Sequence, residues 1–148
     1  MFLEYHLFVK ERNGDDSSSK ELVNTMQLLL YSNGDDPNQK RLETAVQTVI
    51  PESQIELFKS LADFGERLRM PIEPDSIAVL SVSSRDELQR MQLFRALLTE
   101  IFVVLVVPDW EAGTIRLAHL LLPRFLSQQE DNFVDLGKVL AKIYRTAH

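Results

Sequence analysis

Acidic residues in two short turns are the first candidates for chemistry in this sequence. The tetrapeptide Asn-Gly-Asp-Asp occurs at residues 13–16 and again at residues 33–36. Carboxylates that such loops bring together are the ligands that hard cations such as Mg²⁺ and Ca²⁺ prefer. Asp15 and Asp16 are therefore candidate cation ligands. Asn-Gly-Asp is also ordinary turn and helix-cap chemistry, so a solvated turn is the competing interpretation.

Other residue types exclude several familiar kinds of site. The chain has no cysteine, which rules out a disulfide, a thiolate metal site and a cysteine nucleophile. His6, His119 and His148 have no companion at metal-ligand spacing. A Gly-x-Ser-x-Gly elbow and a glycine-rich phosphate loop are both missing from the sequence. We therefore expect no metal, no cofactor and no enzymatic activity.

Length and charge narrow the class of protein further. The 148 residues are 45% hydrophobic, which predicts one ordinary domain with a full core. A net charge of −6 repels phosphate backbones, so we expect no nucleic-acid partner. The longest apolar run, Ile101 to Pro108, is too short to cross a bilayer. Residues 1–4 lack the basic start of a signal peptide, and we expect a cytoplasmic protein.

Two continuous apolar runs predict the central strands that must position any site. Ile77–Leu80 and Ile101–Val107 do not alternate with polar residues, as is typical of parallel strands covered on both faces. Weaker patterns predict strands at Phe2–Lys10, Gln54–Lys59 and Arg124–Ser127.

Helical patterns lie between these strands. Ser60 with Asp63 and Ser84 with Glu87 predict the starts of two helices. Further helices are predicted over residues 111–120 and 132–145. Alternating strands and helices predict an α/β fold, a three-layer αβα sandwich around a five-stranded parallel sheet.

A duplication interrupts this alternation near the N-terminus. The repeat of the Asn-Gly-Asp-Asp turn continues at a spacing of twenty residues, so residues 13–50 look like a duplicated loop-plus-helix segment. Leu22, Met26 and Leu29 fall on one helical face, which favours an extra helix at residues 19–31. The alternative is that residues 26–32 form the first core strand.

This order of elements resembles the receiver domain of two-component response regulators, over nearly the whole chain apart from the duplicated segment. Other flavodoxin-like domains share the strand order. The resemblance implies signal transduction by phosphorelay, with an aspartyl phosphate formed at the C-terminal ends of the strands. That chemistry needs an acidic pair after strand one, an aspartate ending strand three, a Ser or Thr ending strand four and a lysine ending strand five.

The sequence departs from the receiver pattern at each of these positions. The acidic pair is replaced by Lys10 and Glu11, and the phosphorylated aspartate by Ser81. Val107 replaces the hydroxyl residue, and Gln128 replaces the lysine. These positions are expected to be a vestigial site that cannot form the aspartyl phosphate.

A degenerate receiver is expected to act by contact with a protein partner or as a homodimer. Trp110 is a candidate anchor. The face where receivers commonly dimerise would present the apolar run Leu120–Leu122 with two further residues. The interface candidates are Trp110, Leu121, Arg124 and Phe125. The alternatives are a phosphorylatable receiver with a displaced acidic site (Asp15, Asp16 or Asp109) and a flavodoxin-like protein that binds a small ligand.

Overall fold

The computed structural model describes residues 26–34 and 37–146. Within these residues five strands form one parallel sheet and six α-helices accompany it. The strands are β1 (Leu28–Ser32), β2 (Ile55–Phe58), β3 (Ile77–Ser81), β4 (Phe102–Val107) and β5 (Phe125–Gln128). The helices are α1 (Pro37–Val49), α2 (Leu61–Leu68), α3 (Arg85–Met91), α4 (Arg95–Leu98), α5 (Ala112–Leu120) and α6 (Val134–Thr146).

The strand order is β2-β1-β3-β4-β5, and every neighbouring pair is parallel. This order confirms the predicted flavodoxin-like α/β fold, and it is the order of the receiver fold. The register places Ser32 beside Ser81, and Ser81 beside Val106. The C-terminal ends of β1, β3 and β4 therefore meet at one edge of the sheet.

Alternate residues of the strands enter two separate cores. Leu29 and Tyr31 pack on the face covered by α2, α3 and α5. Leu28 and Leu30 pack on the opposite face, which α1 and α6 cover. Because helices cover both faces, the central strands are apolar along their whole length rather than alternating.

Two strands and two helix caps predicted from local signals are confirmed. The strands predicted at Ile77–Leu80 and Ile101–Val107 form β3 and β4, with bounds that differ by one residue. Ser60 Oγ accepts a hydrogen bond from Asp63 N at 3.1 Å and caps α2. Ser84 Oγ accepts one from Glu87 N at 3.1 Å and caps α3. Each signal depends only on neighbouring residues, which is why the sequence reveals it.

The extra helix predicted at residues 19–31 is wrong over its last turn, and the alternative of a first core strand within residues 26–32 is confirmed. Leu28–Ser32 is a strand, fully buried and paired on both sides with β2 and β3. The helical pattern left Leu28 and Tyr31 off the apolar face, whereas a strand covered on both faces buries them too. The second copy of the repeat is the helix α1, so the two copies do not share one structure over these residues.

The corrected first strand changes where the acidic pair of a receiver would lie. Lys10 and Glu11 were placed after a strand at Phe2–Lys10, and all of these residues lie outside the described part of the chain. The central strand is β1, and Asn33 and Gly34 follow it directly.

Candidate functional site

Three of the five residues predicted to form a vestigial receiver site lie at the C-terminal edge, meaning the side of the sheet where the strands end, and the other two, Lys10 and Glu11, lie outside the described residues. Ser81, Val107 and Gln128 are the last residues of β3, β4 and β5. Ser81 is 2% exposed and Val107 is fully buried. A serine hydroxyl and a valine therefore occupy the positions where a receiver needs a carboxylate and a hydroxyl.

Two neutral amides occupy the end of β5. Gln128 Nε2 donates to the carbonyl oxygen of Pro108 at 3.1 Å. Gln129 Nε2 donates to the carbonyl oxygen of Val82 at 2.7 Å. These bonds tie β5 to the loops that follow β4 and β3. Gln128, which the resemblance aligns with the lysine of a receiver, thus binds a backbone carbonyl and brings no positive charge to the edge.

The buried carboxylate at this edge belongs to Glu87, which is 2% exposed. Its Oε2 accepts a hydrogen bond from the Tyr31 hydroxyl. Its Oε1 accepts bonds from Ser83 N at 2.8 Å and Ser83 Oγ at 2.9 Å. Burial, together with the hydrogen bond to Glu87 and its charge, raises the pKa of Tyr31. Both carboxylate oxygens are therefore held by protein donors.

The sequence indicated Glu87 only as a capping residue. Its link to Tyr31 joins residues 56 positions apart, so no local pattern could reveal it. One available signal was the unusual combination of a tyrosine inside an apolar strand and a glutamate at a buried helical position.

Arg85 organises the loop between β4 and α5. Its Nη2 donates to Glu111 Oε1 at 2.9 Å, and its Nε donates to Thr114 Oγ1 at 3.1 Å. Asp109 Oδ1 accepts from Glu111 N at 2.9 Å. This bond, a further bond with Thr114 and the charge of Arg85 lower the pKa of Asp109 below its usual range. Asp109 is thus an ionised turn residue engaged by its own loop.

The predicted interface residues do not form one patch. Trp110 follows the end of β4 and is 56% exposed, so it lies at the C-terminal edge. Arg124 and Phe125 lie at the start of β5. They are therefore at the N-terminal edge, meaning the side of the sheet where the strands begin, opposite the C-terminal edge. Leu121 is 3% exposed and packs in the core. The prediction that it forms part of an interface surface is therefore wrong.

The exposed leucines beside it are Leu120 and Leu122. They are 44% and 73% exposed. The helix α5 ends at Leu120, and its last turn directs Leu121 inward while its neighbours face solvent. The apolar run therefore divides between core and surface.

No metal-binding geometry is present in the part of the chain that the structure describes. Within it, no three His, Asp or Glu side chains converge as metal ligands would. The candidate cation ligands Asp15 and Asp16 lie outside the described residues. Among residues 26–34 and 37–146, helices also fall short of the length and apolar character needed to cross a membrane.

Comparison with known proteins adds no family to this description. No protein-family model matches the sequence, and no curated protein matches it.

Proposed function

We propose that this chain is a signalling or protein-interaction module that resembles a receiver and acts by protein contact without accepting a phosphoryl group. The proposal rests on the residues that occupy the C-terminal edge. There, Gln128 and Gln129 bind backbone carbonyls where a receiver would present a lysine, and β3 ends in Ser81. A cytoplasmic location is part of the proposal and rests on the sequence.

The chemical argument concerns what an aspartyl phosphate requires. A carboxylate must attack the phosphorus, a divalent cation must screen the incoming charge, and a cation must hold the product. Glu87 is buried and engaged on both oxygens by Tyr31 and Ser83. Asp109 is engaged by the start of α5. Glu87 therefore lacks the open coordination that phosphoryl transfer needs, and Asp109 lies in the loop after β4, away from the end of β3 where a receiver places its phosphorylated aspartate.

Trp110 is the residue through which a protein partner would bind. This side chain is more than half exposed, and the next residue in the sequence, Glu111, forms an ion pair with Arg85. An exposed aromatic side chain surrounded by polar groups is the usual composition of an interaction hot spot. The proposal also includes a homodimer, formed through the exposed leucines near the start of β5.

The decisive experiment is a pair of amide nitrogen–proton spectra recorded with and without beryllofluoride and Mg²⁺. Beryllofluoride mimics a phosphoryl group on a carboxylate. We expect the resonances of Asn33, Ser81 and Ser83 to keep their positions, with Mg²⁺ alone as the control. Saturable shifts at these residues with beryllofluoride would contradict the proposal.

Such shifts would instead support the second candidate, a phosphorylatable receiver with a displaced acidic site. The corrected position of β1 gives this candidate a specific basis, because Asp35 and Asp36 follow the end of β1 by three and four residues in the sequence. Phosphotransfer from a histidine kinase that is lost in Asp35→Asn or Asp36→Asn would establish it.

A further inference from the structure

A cavity of about 530 Å³ lies at the N-terminal edge, opposite the vestigial receiver site. Its described wall is formed where β4 and β5 begin and where α6 passes over them. Small-molecule sites commonly have volumes of about 300 to 1,000 Å³. The cavity is thus large enough for a small organic molecule.

The apolar part of the wall is continuous. Phe102 begins β4, and Val139 and Ile143 lie one turn apart on the face of α6 that packs against the sheet. These three side chains would cover the hydrocarbon part of a ligand. Burial of such a hydrocarbon chain against them favours binding because it removes apolar surface from water.

Two positively charged side chains line this cavity. The guanidinium of Arg124 lies 4.3 Å from the ring centroid of Phe102, so the aromatic ring fixes its position. Lys142 lines the same cavity from α6. Asp75 is the one acidic residue of the described wall. Two positive charges and one negative charge leave a net charge of +1, which is complementary to a monoanion.

Asp75 also has an uncommon backbone conformation. Its φ is 71°, in the left-handed region that residues other than glycine rarely adopt. Strain of this kind is concentrated at functional sites, where the surrounding structure maintains it. The strained residue lies in the wall of this cavity.

Two neighbouring cavities at the same edge, of about 220 and 540 Å³, fit an anion less well. Both include Glu100 as well as Asp75 in their walls. Only the first of the three combines Arg124 and Lys142 with the apolar face of α6.

We propose that the cavity between α6 and the start of β4 and β5 binds a small monoanion with an apolar body, of the medium-chain carboxylate class. The carboxylate binds Arg124 and Lys142, and the hydrocarbon chain lies against Phe102, Val139 and Ile143. This site is separate from the C-terminal edge, so it does not depend on whether the protein accepts phosphate.

The test is a titration of the full chain with sodium octanoate at constant ionic strength, followed by amide chemical shifts. We expect saturable shifts around the cavity with octanoate. Octylamine, which has the same chain and the opposite charge, should cause none. Equal shifts with octylamine, or no saturable shifts with octanoate, would overturn the proposal.

Two pairs of variants locate the site. Lys142→Glu should weaken octanoate binding about fivefold, the factor expected from the loss of one exposed ion pair, whereas Lys138→Glu on the same helix should not change it. Val139→Trp fills the cavity and should abolish binding, whereas Val134→Trp adds the same ring to an exposed position of α6. If Val139→Trp does not fold, the comparison of Lys142→Glu with Lys138→Glu tests the proposal by itself. Equal octanoate affinities for these two variants would overturn it.

Discussion

At the scale of single residues, the pair of Tyr31 and Glu87 is the most informative feature of this protein. A buried carboxylate is costly unless donors satisfy it, and here Tyr31 and Ser83 supply them. The network connects β1 to the start of α3 across the C-terminal edge of the sheet. It is therefore a long-range contact that stabilises the fold at this edge.

We predict that Tyr31→Phe lowers the free energy of unfolding by about 1 to 3 kcal/mol. The variant removes one donor to Glu87 and leaves that oxygen of the carboxylate buried. The matched control is Tyr144→Phe, which removes a hydroxyl that donates to the neutral Gln54 Oε1 at 3.1 Å. Urea unfolding at pH 7 measures both. A loss for Tyr31→Phe no larger than that for Tyr144→Phe would contradict this role.

The same variant tests the raised pKa of Tyr31. A group with a higher pKa in the folded state contributes stability that is present below its unfolded pKa, near 10, and is lost as pH rises above that value. The wild-type protein should therefore lose stability above about pH 10. Tyr31→Phe should lose less over that range, since it has no proton to release at this position. Unfolding measured from pH 8 to pH 11 compares the two slopes.

At the scale of elements, the glycines of the two C-terminal helices provide an internal comparison. A Cβ on Gly113 in α5 would lie 2.7 Å from Arg85 Nη1, whereas a Cβ on Gly137 in α6 would meet nothing within 4 Å. Alanine stabilises a helix interior by about 1 kcal/mol relative to glycine. Gly113 therefore leaves room for the side chain of Arg85, whereas Gly137 only lowers the stability of α6.

We predict that Gly137→Ala raises the free energy of unfolding by about 0.5 to 1 kcal/mol. Gly113→Ala should gain less or lose stability, because the side chain of Arg85 must move away from Glu111 and Thr114. Thermal unfolding of the two variants decides the point. Equal gains would show that Arg85 moves without loss.

The elements also show how far a sequence can be interpreted. The strands β3 and β4 were predictable because β-branched runs have few alternatives. The first strand was only the less favoured of two alternatives, because Leu28, Leu29 and Leu30 suit a helix as well as a strand. What decides for the strand is pairing with β2 and β3, which come more than twenty residues later. Ser81, Val107 and Gln128 could be placed at one edge since each ends a strand, but the partners of Glu87 could not.

At the scale of the whole molecule, the two edges of the sheet differ in character. The C-terminal edge is held closed by side chains bonded to backbone and to one another, with Trp110 exposed beside it. The N-terminal edge contains the three cavities described above, and Asp75, with its left-handed backbone, lies in the wall of each. A partner protein bound at Trp110 and a small anion bound at Arg124 would therefore use different residues, whereas a second copy bound at Leu122 would lie beside the anion site.

The homodimer is the part of the proposed function that belongs to this scale, and Leu122 is its best probe. This residue has a φ of 54° and is 73% exposed. It is thus a leucine at a left-handed position after α5 where glycine or asparagine is favoured. The left-handed backbone and the exposed apolar side chain both cost free energy in an isolated chain. Burial of the side chain against a second copy of the chain would remove the cost of its exposure to water.

We predict that Leu122→Asn weakens self-association while it leaves the free energy of unfolding of the monomer within about 0.5 kcal/mol, because asparagine tolerates the left-handed backbone. Leu93→Asn is the control, since Leu93 is 81% exposed in the short turn between α3 and α4. Sedimentation velocity over a range of concentrations should show a larger monomer fraction for Leu122→Asn than for Leu93→Asn or wild type. Equal dimerisation by Leu122→Asn and wild type would place the dimer contact elsewhere, and monomers throughout would exclude the homodimer.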